Sequence, residues 1–304
     1  MNYEYYKIFY CVGKHKNITR AAQELFSSQP AVTRVIQSME NELGCKLFLR
    51  TKTGVELTRE GEILYEYAGV ACRHLIKAED ELIGSASVDG GTIYIGTTIT
   101  ALNCYLFDFL NDYRKRYPKV KFKIQTSSTA KIIDLLRSGS VDMAFVTTPC
   151  NAAPQMNVTE ILEFKDILIG GKQFASLTER KLGMADLKEY PFISLYKNMQ
   201  LRQFLDGIFY AHGMTLEPDI EADGADLMIS MVANGWGLAF APEPMTIERQ
   251  ERGELIALPF KDDLPARKVC LITDPQQPKT RASRELCRMI TEKSAVNSAS
   301  PPKP

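Results

Sequence analysis

Between Ser28 and Lys52 the chain spaces side chains that suit hydrogen bonding to a nucleic acid. Gln29, Thr33, Arg34 and Gln37 recur at intervals that keep them near one side of a helix. Gln and Arg can each form paired hydrogen bonds with base edges, and Thr offers both a hydroxyl and a methyl. Pro30 lies on the same outward side, and Ser28 stands just ahead of it. Arg50 and Lys52 follow as cations able to neutralise backbone phosphates, contacts that position a protein without specifying sequence.

A second set of residues suits a small anion. Thr98 and Thr100 follow the strand-like run TIYIG, Ser128 and Thr129 follow VKFKIQT, and Thr147 ends VDMAFVT. Hydroxyls thus gather where three strands end and helices begin, where free N–H groups and the helix dipole favour negative charge. Asn198 and Arg202 flank a later helix start and could close over a ligand. The plain alternative is that these hydroxyls only cap helices, as Ser and Thr do widely. Asp223 and Asp226 weigh against a strongly anionic ligand.

Both sets need elements to hold them. Residues 2–14 carry Tyr6, Phe9, Tyr10 and Gly13 at helical spacing. Asn17 or Thr19 can cap a second helix through Leu25, Phe26-Ser27-Ser28 breaks it, and Ser28 caps a third with Pro30 in its first turn. Val32, Val35, Ile36, Met39 and Leu43 give that helix a buried face, and Gly44 ends it. Lys46–Arg50 and Val55–Leu57 read as a hairpin wing. Thr58 caps a long helix to about Ser87, in which Leu64, Ala68, Ala71, Leu75, Ala78 and Leu82 form a heptad seam asking for a partner. Residues 85–91 read as a hinge. Beyond Thr92 the order is βαβα, which predicts a largely parallel sheet with flanking helices. A further α/β run reaches a last helix near Thr280–Lys293, and the Pro-rich end reads as a disordered tail over 295–304.

Composition narrows the class. Of 304 residues, 45% are apolar and 24% charged, as in ordinary globular proteins, and the length suits more than one domain. No run is long and apolar enough for a membrane span, and the first residues lack a signal-peptide plan, so a cytoplasmic location is expected. Residues 1–61 hold nine Lys/Arg against six Asp/Glu in a chain of zero net charge, a mildly basic head on an acidic body. Seven cysteines without close pairs read mostly as buried small residues, with Cys104 and Cys150 as the two that could serve as redox switches. His15, His74 and His212 lack metal-ligand spacing, so neither a metal nor a cofactor is expected. Trp236, between two glycines, reads as packing. No nucleophile triad, P-loop or dinucleotide fingerprint occurs, which argues against an enzyme.

The stretch AAQELFSSQPAVTRVIQSMENELGCKLFLRTKTGVELTREG resembles the winged helix-turn-helix of LysR-type transcriptional regulators. The matched positions are Ala21-Ala22, Leu25, Ser28-Gln29-Pro30-Ala31-Val32-Thr33, Ile36, Met39-Glu40, Leu43-Gly44, Leu47-Phe48, Arg50, Leu57-Thr58 and Gly61. Family members often carry a basic residue where Thr53 stands and Ser where Thr33 stands. Tyr117-Pro118, Gly139 before VDMAFV, and ANGWGLAFAPE also resemble the family's effector-binding half.

The resemblance implies a multidomain α+β and α/β chain. It comprises a winged helix-turn-helix head over 1–58 (helix-turn-helix about 18–37), a dimerising linker helix over 59–87, and an effector domain over 88–294. That domain would have two α/β lobes resembling type-two periplasmic binding proteins, lobe I about 92–162 with 267–294 and lobe II about 163–266. The expected partners are double-stranded operator DNA contacted by Ser28, Gln29, Pro30, Thr33, Arg34, Gln37, Arg50 and Lys52, and a small polar, anionic effector between the lobes. A homodimer or homotetramer is expected, with RNA polymerase as a further candidate partner. Three rivals fit less well. A solute-binding protein leaves the first 58 residues unexplained, a cleft enzyme lacks a nameable catalyst, and a DNA-packing protein leaves over 200 residues without a task.

Overall fold

The computed structural model describes residues 1–51, 54–83 and 90–299. The chain divides into two compact units, Met1–Ile83 and Gly84–Pro304.

The first unit holds α1 (Tyr3–His15), α2 (Ile18–Glu24), α3 (Gln29–Leu43), β1 (Phe48–Thr51), β2 (Gly54–Leu57) and α4 (Arg59–Ile83). Short polar side chains start the first three helices: Asn2, Asn17 and Ser28 accept from Tyr5 N, Arg20 N and Ala31 N. Between α2 and α3 the chain reverses through Phe26 at φ 50°. Phe26 N bonds Gln23 O at 3.2 Å and Ser27 N bonds Ala22 O at 2.9 Å, the two closures of a Schellman turn. Phe9, Val12, Ala21, Ala22, Val32, Ile36, Met39, Leu47 and Val55 fill the core.

Glu40 ties the recognition side of this unit to its wing. Its Oε1 accepts from Leu47 N at 2.9 Å and Phe48 N at 3.3 Å, and its Oε2 accepts from Lys46 Nζ at 2.7 Å. Burial pushes this carboxyl up, but the Lys46 ammonium and the two N–H groups outweigh burial and hold it below the usual range. A depressed folded value means stability that is present above the unfolded value and lost as pH falls through the folded one. Glu40→Gln keeps an acceptor for the N–H groups and loses the charge attraction to an exposed lysine. The expected cost is about 1 kcal/mol at neutral pH, read as a lower denaturant midpoint for the first unit, with the difference from wild type shrinking in acid.

Gly61, in the first turn of α4, is a close approach: a Cβ there would lie 2.1 Å from Leu47 O. Thr58 caps this helix from the wing, donating its hydroxyl to Lys46 O at 2.6 Å and accepting from Gly61 N at 2.9 Å. The expected seam along α4 is corrected at its N-terminal end. Ala68 is buried in its own unit and Leu64 packs on the same core, so neither faces outward. The exposed apolar stripe is Ile63, Tyr67, Ala71, Leu75, Ala78 and Leu82. The hinge read at 85–91 lies mostly outside the described residues.

The second unit continues with β3 (Thr92–Thr97), α5 (Ile99–Ala101), a π-turn (Leu102–Leu106), α6 (Phe107–Arg116), β4 (Lys121–Thr126), α7 (Thr129–Arg137), β5 (Met143–Thr147) and β6 (Asn157–Phe164). Then come β7 (Asp166–Gly171), two 3₁₀ segments, β8 (Ile193–Leu195), α8 (Gln200–Ala211), β9 (Ile220–Ala222) and α9 (Ala225–Ala233). The chain ends with β10 (Ala239–Pro242), α10 (Ile247–Glu251), β11 (Leu255–Ala257), β12 (Arg267–Thr273) and α11 (Arg281–Ala299). One lobe is the sheet β4-β3-β5-β12-β6 with its helices. The other contains β10-β7-β11 and the pair β8-β9. The chain crosses between lobes after Phe164 and again before Arg267.

The largely parallel sheet is corrected. β3 pairs in parallel with β4 and β5, but β12 runs antiparallel to both β5 and β6. The strand β6 was not read from sequence, and β12 enters from the other lobe in the opposite direction. The last helix also runs further than expected, so 295–299 are helical rather than tail. Trp236 is about half exposed instead of packed.

Candidate nucleic-acid interface and effector site

α3 turns its aliphatic side inward and its polar side out. Val32, Ile36 and Met39 are buried, while Gln29, Pro30, Arg34 and Gln37 are exposed and Thr33 is half buried. Ser28 is exposed and spends its oxygen on the cap. Arg50 is exposed on β1, paired across the hairpin with Val55. Lys52 lies outside the described residues. A capped helix of this kind fits a major groove about 12 Å wide, N-terminal residues first.

In the second unit β4, β3 and β5 are parallel neighbours, so their carboxyl ends share one edge. Thr98, Thr100, Ser128, Thr129 and Thr147 all lie along that edge. Thr98 N bonds Phe145 O at 3.0 Å and Ser127 N bonds Thr97 O at 3.2 Å, stitching the three loops together. Thr98 Oγ1 accepts from Ala101 N and Ser128 Oγ from Lys131 N, so both also cap helices. Thr129 is buried. Across the unit α5 abuts α9, whose first turn carries Asp226.

Arg202 is not free for a ligand. It is 1% exposed, and its guanidinium bonds Asp206 Oδ1 at 2.8 Å, Glu221 Oε1 at 2.7 Å, Leu195 O at 3.1 Å and Leu216 O at 3.2 Å. It ties α8 to β8 and β9 instead. Asn198 is exposed just ahead of α8.

Arg267 was missed by sequence reasoning. It opens β12 at the crossing between lobes, 2% exposed, with its NH1 3.3 and 3.1 Å from the Asp166 oxygens. Its Nε donates to Thr148 O at 2.8 Å and its NH2 to Thr147 Oγ1 at 2.9 Å. The rings of Phe164 and Phe204 lie against it. Burial pushes the Asp166 carboxyl above its ordinary value against the pull of Arg267. The only local signal is a basic pair, Arg267-Lys268, ahead of the buried run Val269–Ile272.

Of the two candidate redox thiols, burial pushes Cys104 up to about 12. A hydrogen bond with Cys270 brings Cys150 down to about 7.

Among the described residues no helix is long and apolar enough to cross a membrane. Residues 4–62 match the family model of bacterial regulatory helix-turn-helix proteins of the lysR family, and residues 86–295 match that of the LysR substrate binding domain. The HTH-type transcriptional regulator BudR of Raoultella terrigena is 30% identical over 255 residues, covering 81% of this chain and 86% of the relative. A probable RuBisCO transcriptional regulator of Porphyra purpurea is 26% identical over 292 residues, covering 93% and 91%. The crystal structure of full-length CbnR complexed with its target DNA has the same fold, with TM-score 0.73 at 18% identity over 97% of this chain and 99% of that one. With both halves matched in the order in which the two units fold, the chain belongs to the LysR family of DNA-binding transcriptional regulators, a helix-turn-helix head followed by an effector-binding domain.

Proposed function

We propose that Gln29, Thr33, Arg34 and Gln37 read base edges of an operator, with Arg50 and Lys52 on flanking phosphates. The observation that supports this best is the polarity of α3, capped at Ser28, buried along Val32, Ile36 and Met39, and exposed along Gln29, Arg34 and Gln37. Footprinting of the purified chain on its own upstream region tests it. A protected tract with two-fold symmetry is the expected result, and equal binding to every fragment would refute the reading.

The exposed stripe on α4 favours self-association, since six apolar residues on one helix face are costly to leave in water. It supports a homodimer or homotetramer reading half-sites related by a two-fold axis, and the helix-turn-helix family match supports a cytoplasmic location.

The effector is read as a small polar molecule with an acidic group, lying between the lobes at the edge formed by Thr98, Thr100, Ser128, Thr129 and Thr147, with Asn198 opposite. Arg202 and Arg267 are already paired. The acidic group would therefore be held by hydroxyls and helix N–H groups rather than by an unpaired cation. Binding that favours one arrangement of the lobes would then shift the DNA-bound form. In a thermal-shift screen of organic acids, amino acids and oxyanions, one class should raise the melting temperature. Thr98→Val should weaken that ligand about tenfold, the worth of one charge-assisted hydrogen bond. A screen in which none of these classes stabilises the protein would overturn the reading.

A further inference from the structure

The spacing of the histidines alone argued against a metal, but α1 and α2 bring a different donor set together. Cys11 and His15 are four residues apart on α1 and so share a face. The turn through Lys16, at φ 49°, brings α2 back alongside, with Glu24 as its last residue. The Cys11 thiol, a His15 ring nitrogen and a Glu24 carboxylate oxygen all lie within 4.8 Å of one another. His15 Nε2 is in direct hydrogen-bonding contact with Glu24 Oε2. Lys14 Nζ bonds Glu24 Oε1 at 2.8 Å and Oε2 at 3.0 Å, and the Cys11 thiol points toward Ala21 O at 3.8 Å. Cys11 is buried, His15 half-buried and Glu24 exposed, so the group opens to water on one side.

We propose that Cys11, His15 and Glu24 form a binding site for a divalent transition metal of the zinc class in the DNA-binding head. One thiolate, one imidazole and one carboxylate are the donors that Zn²⁺ takes, with water at the fourth, open position. The metal would take the place of the hydrogen between His15 Nε2 and Glu24 Oε2: the Nε2 proton leaves through solvent, the ring binds as neutral imidazole with its remaining hydrogen on Nδ1, and Glu24 binds through Oε2. The Cys11 S–H gives up its proton to solvent as the sulfur–metal bond forms. Lys14 must release Oε2 and keeps Oε1, where it orients the carboxylate from behind. Because the metal displaces the thiol proton, binding weakens as pH falls. Bound metal would pin α1 to α2 and so fix the support on which α3 is seated.

Titration of the reduced full chain with Co²⁺ tests the site. One equivalent should bind with a thiolate-to-metal charge-transfer band and the visible bands of tetrahedral cobalt. His15→Gln, a change at a half-buried position, should lower the affinity about tenfold or more, and Cys11→Ser should remove the charge-transfer band. His212→Gln, at the end of α8, should change neither. Because Cys11 is buried and its replacement can unfold the head, X-ray absorption of the Zn²⁺-loaded wild type supplies a second reading: one sulfur at about 2.3 Å with nitrogen and oxygen neighbours. A zinc shell without sulfur, or a cobalt spectrum and affinity unchanged in His15→Gln, would overturn the proposal.

Discussion

Asp166→Ala is expected to lower the stability of the effector-binding unit by about 3–5 kcal/mol, the cost of leaving a buried partner charge alone. The Asp166 side chain is fully buried and that of Arg267 is 3% exposed, so water cannot replace the lost carboxylate. The sole tryptophan, Trp236, lies in this unit and half exposed, which makes its fluorescence a reporter for urea unfolding. The double replacement Asp166→Leu with Arg267→Met should regain most of the loss, because it removes both charges and fills the space between Phe164 and Phe204. A midpoint for Asp166→Ala close to wild type would show that the pair is dispensable. The pH dependence has a definite sign. Because the folded carboxyl titrates above its ordinary value, the folded state takes up this proton more readily than the unfolded chain does. Lowering the pH into that window adds stability through Asp166. Acid unfolding of this unit must therefore act through carboxyls held low, such as Glu285, which accepts from Arg288 NH2 at 2.7 Å and Tyr117 Oη at 3.0 Å.

The second large effect concerns DNA. Arg34→Ala should weaken binding to the preferred operator by about 1–3 kcal/mol, roughly 5- to 150-fold, and leave random DNA almost untouched, if the guanidinium reads a guanine. Arg50→Ala should weaken both by a similar factor and make the slope of log affinity against log salt shallower by about one, the signature of a lost phosphate contact. Arg34 is exposed on α3 with its neighbours Val32 and Ile36 inside, so its removal leaves the core intact. Titrations of both variants on operator and scrambled DNA over a salt series separate the roles. Equal losses on both DNAs for both variants would contradict them.

The head was legible because its signals are local. Ser28, Pro30 and Gly44 mark the ends of α3 by chemistry that does not depend on the rest of the chain, and its buried positions follow a helical period. Tertiary facts were not legible. Leu64 and Ala68 fit a seam by spacing, yet the core of their own unit claims them, and spacing cannot say which of two partners will. The strand NVTEILEF mixes polar and apolar residues because it sits at the edge of its sheet, so its pattern is weak. Arg202 stands near the start of α8, a position that by sequence alone suits a ligand contact. Only the fold places Glu221 and the carbonyls of Leu195 and Leu216 around it. Arg267 was passed over for the same reason in reverse, since its partners Thr147, Thr148 and Asp166 are about a hundred residues or more upstream. The group Cys11, His15 and Glu24 had a readable half, Cys and His one turn apart. The third donor depends on the return of α2.

The place of β12 has a consequence for biosynthesis. This strand lies between β5 and β6, yet it is the last strand to leave the ribosome. Until residues near 273 emerge, β5 and β6 have no shared neighbour and both expose unpaired N–H and C=O groups. The inserted lobe, β7 to β11, is complete before then and can fold on the growing chain while the earlier lobe waits. A nascent chain stalled or cut before Arg267 would therefore leave the hydrophobic strand β5 with an open edge, the form of this protein most exposed to proteases and chaperones.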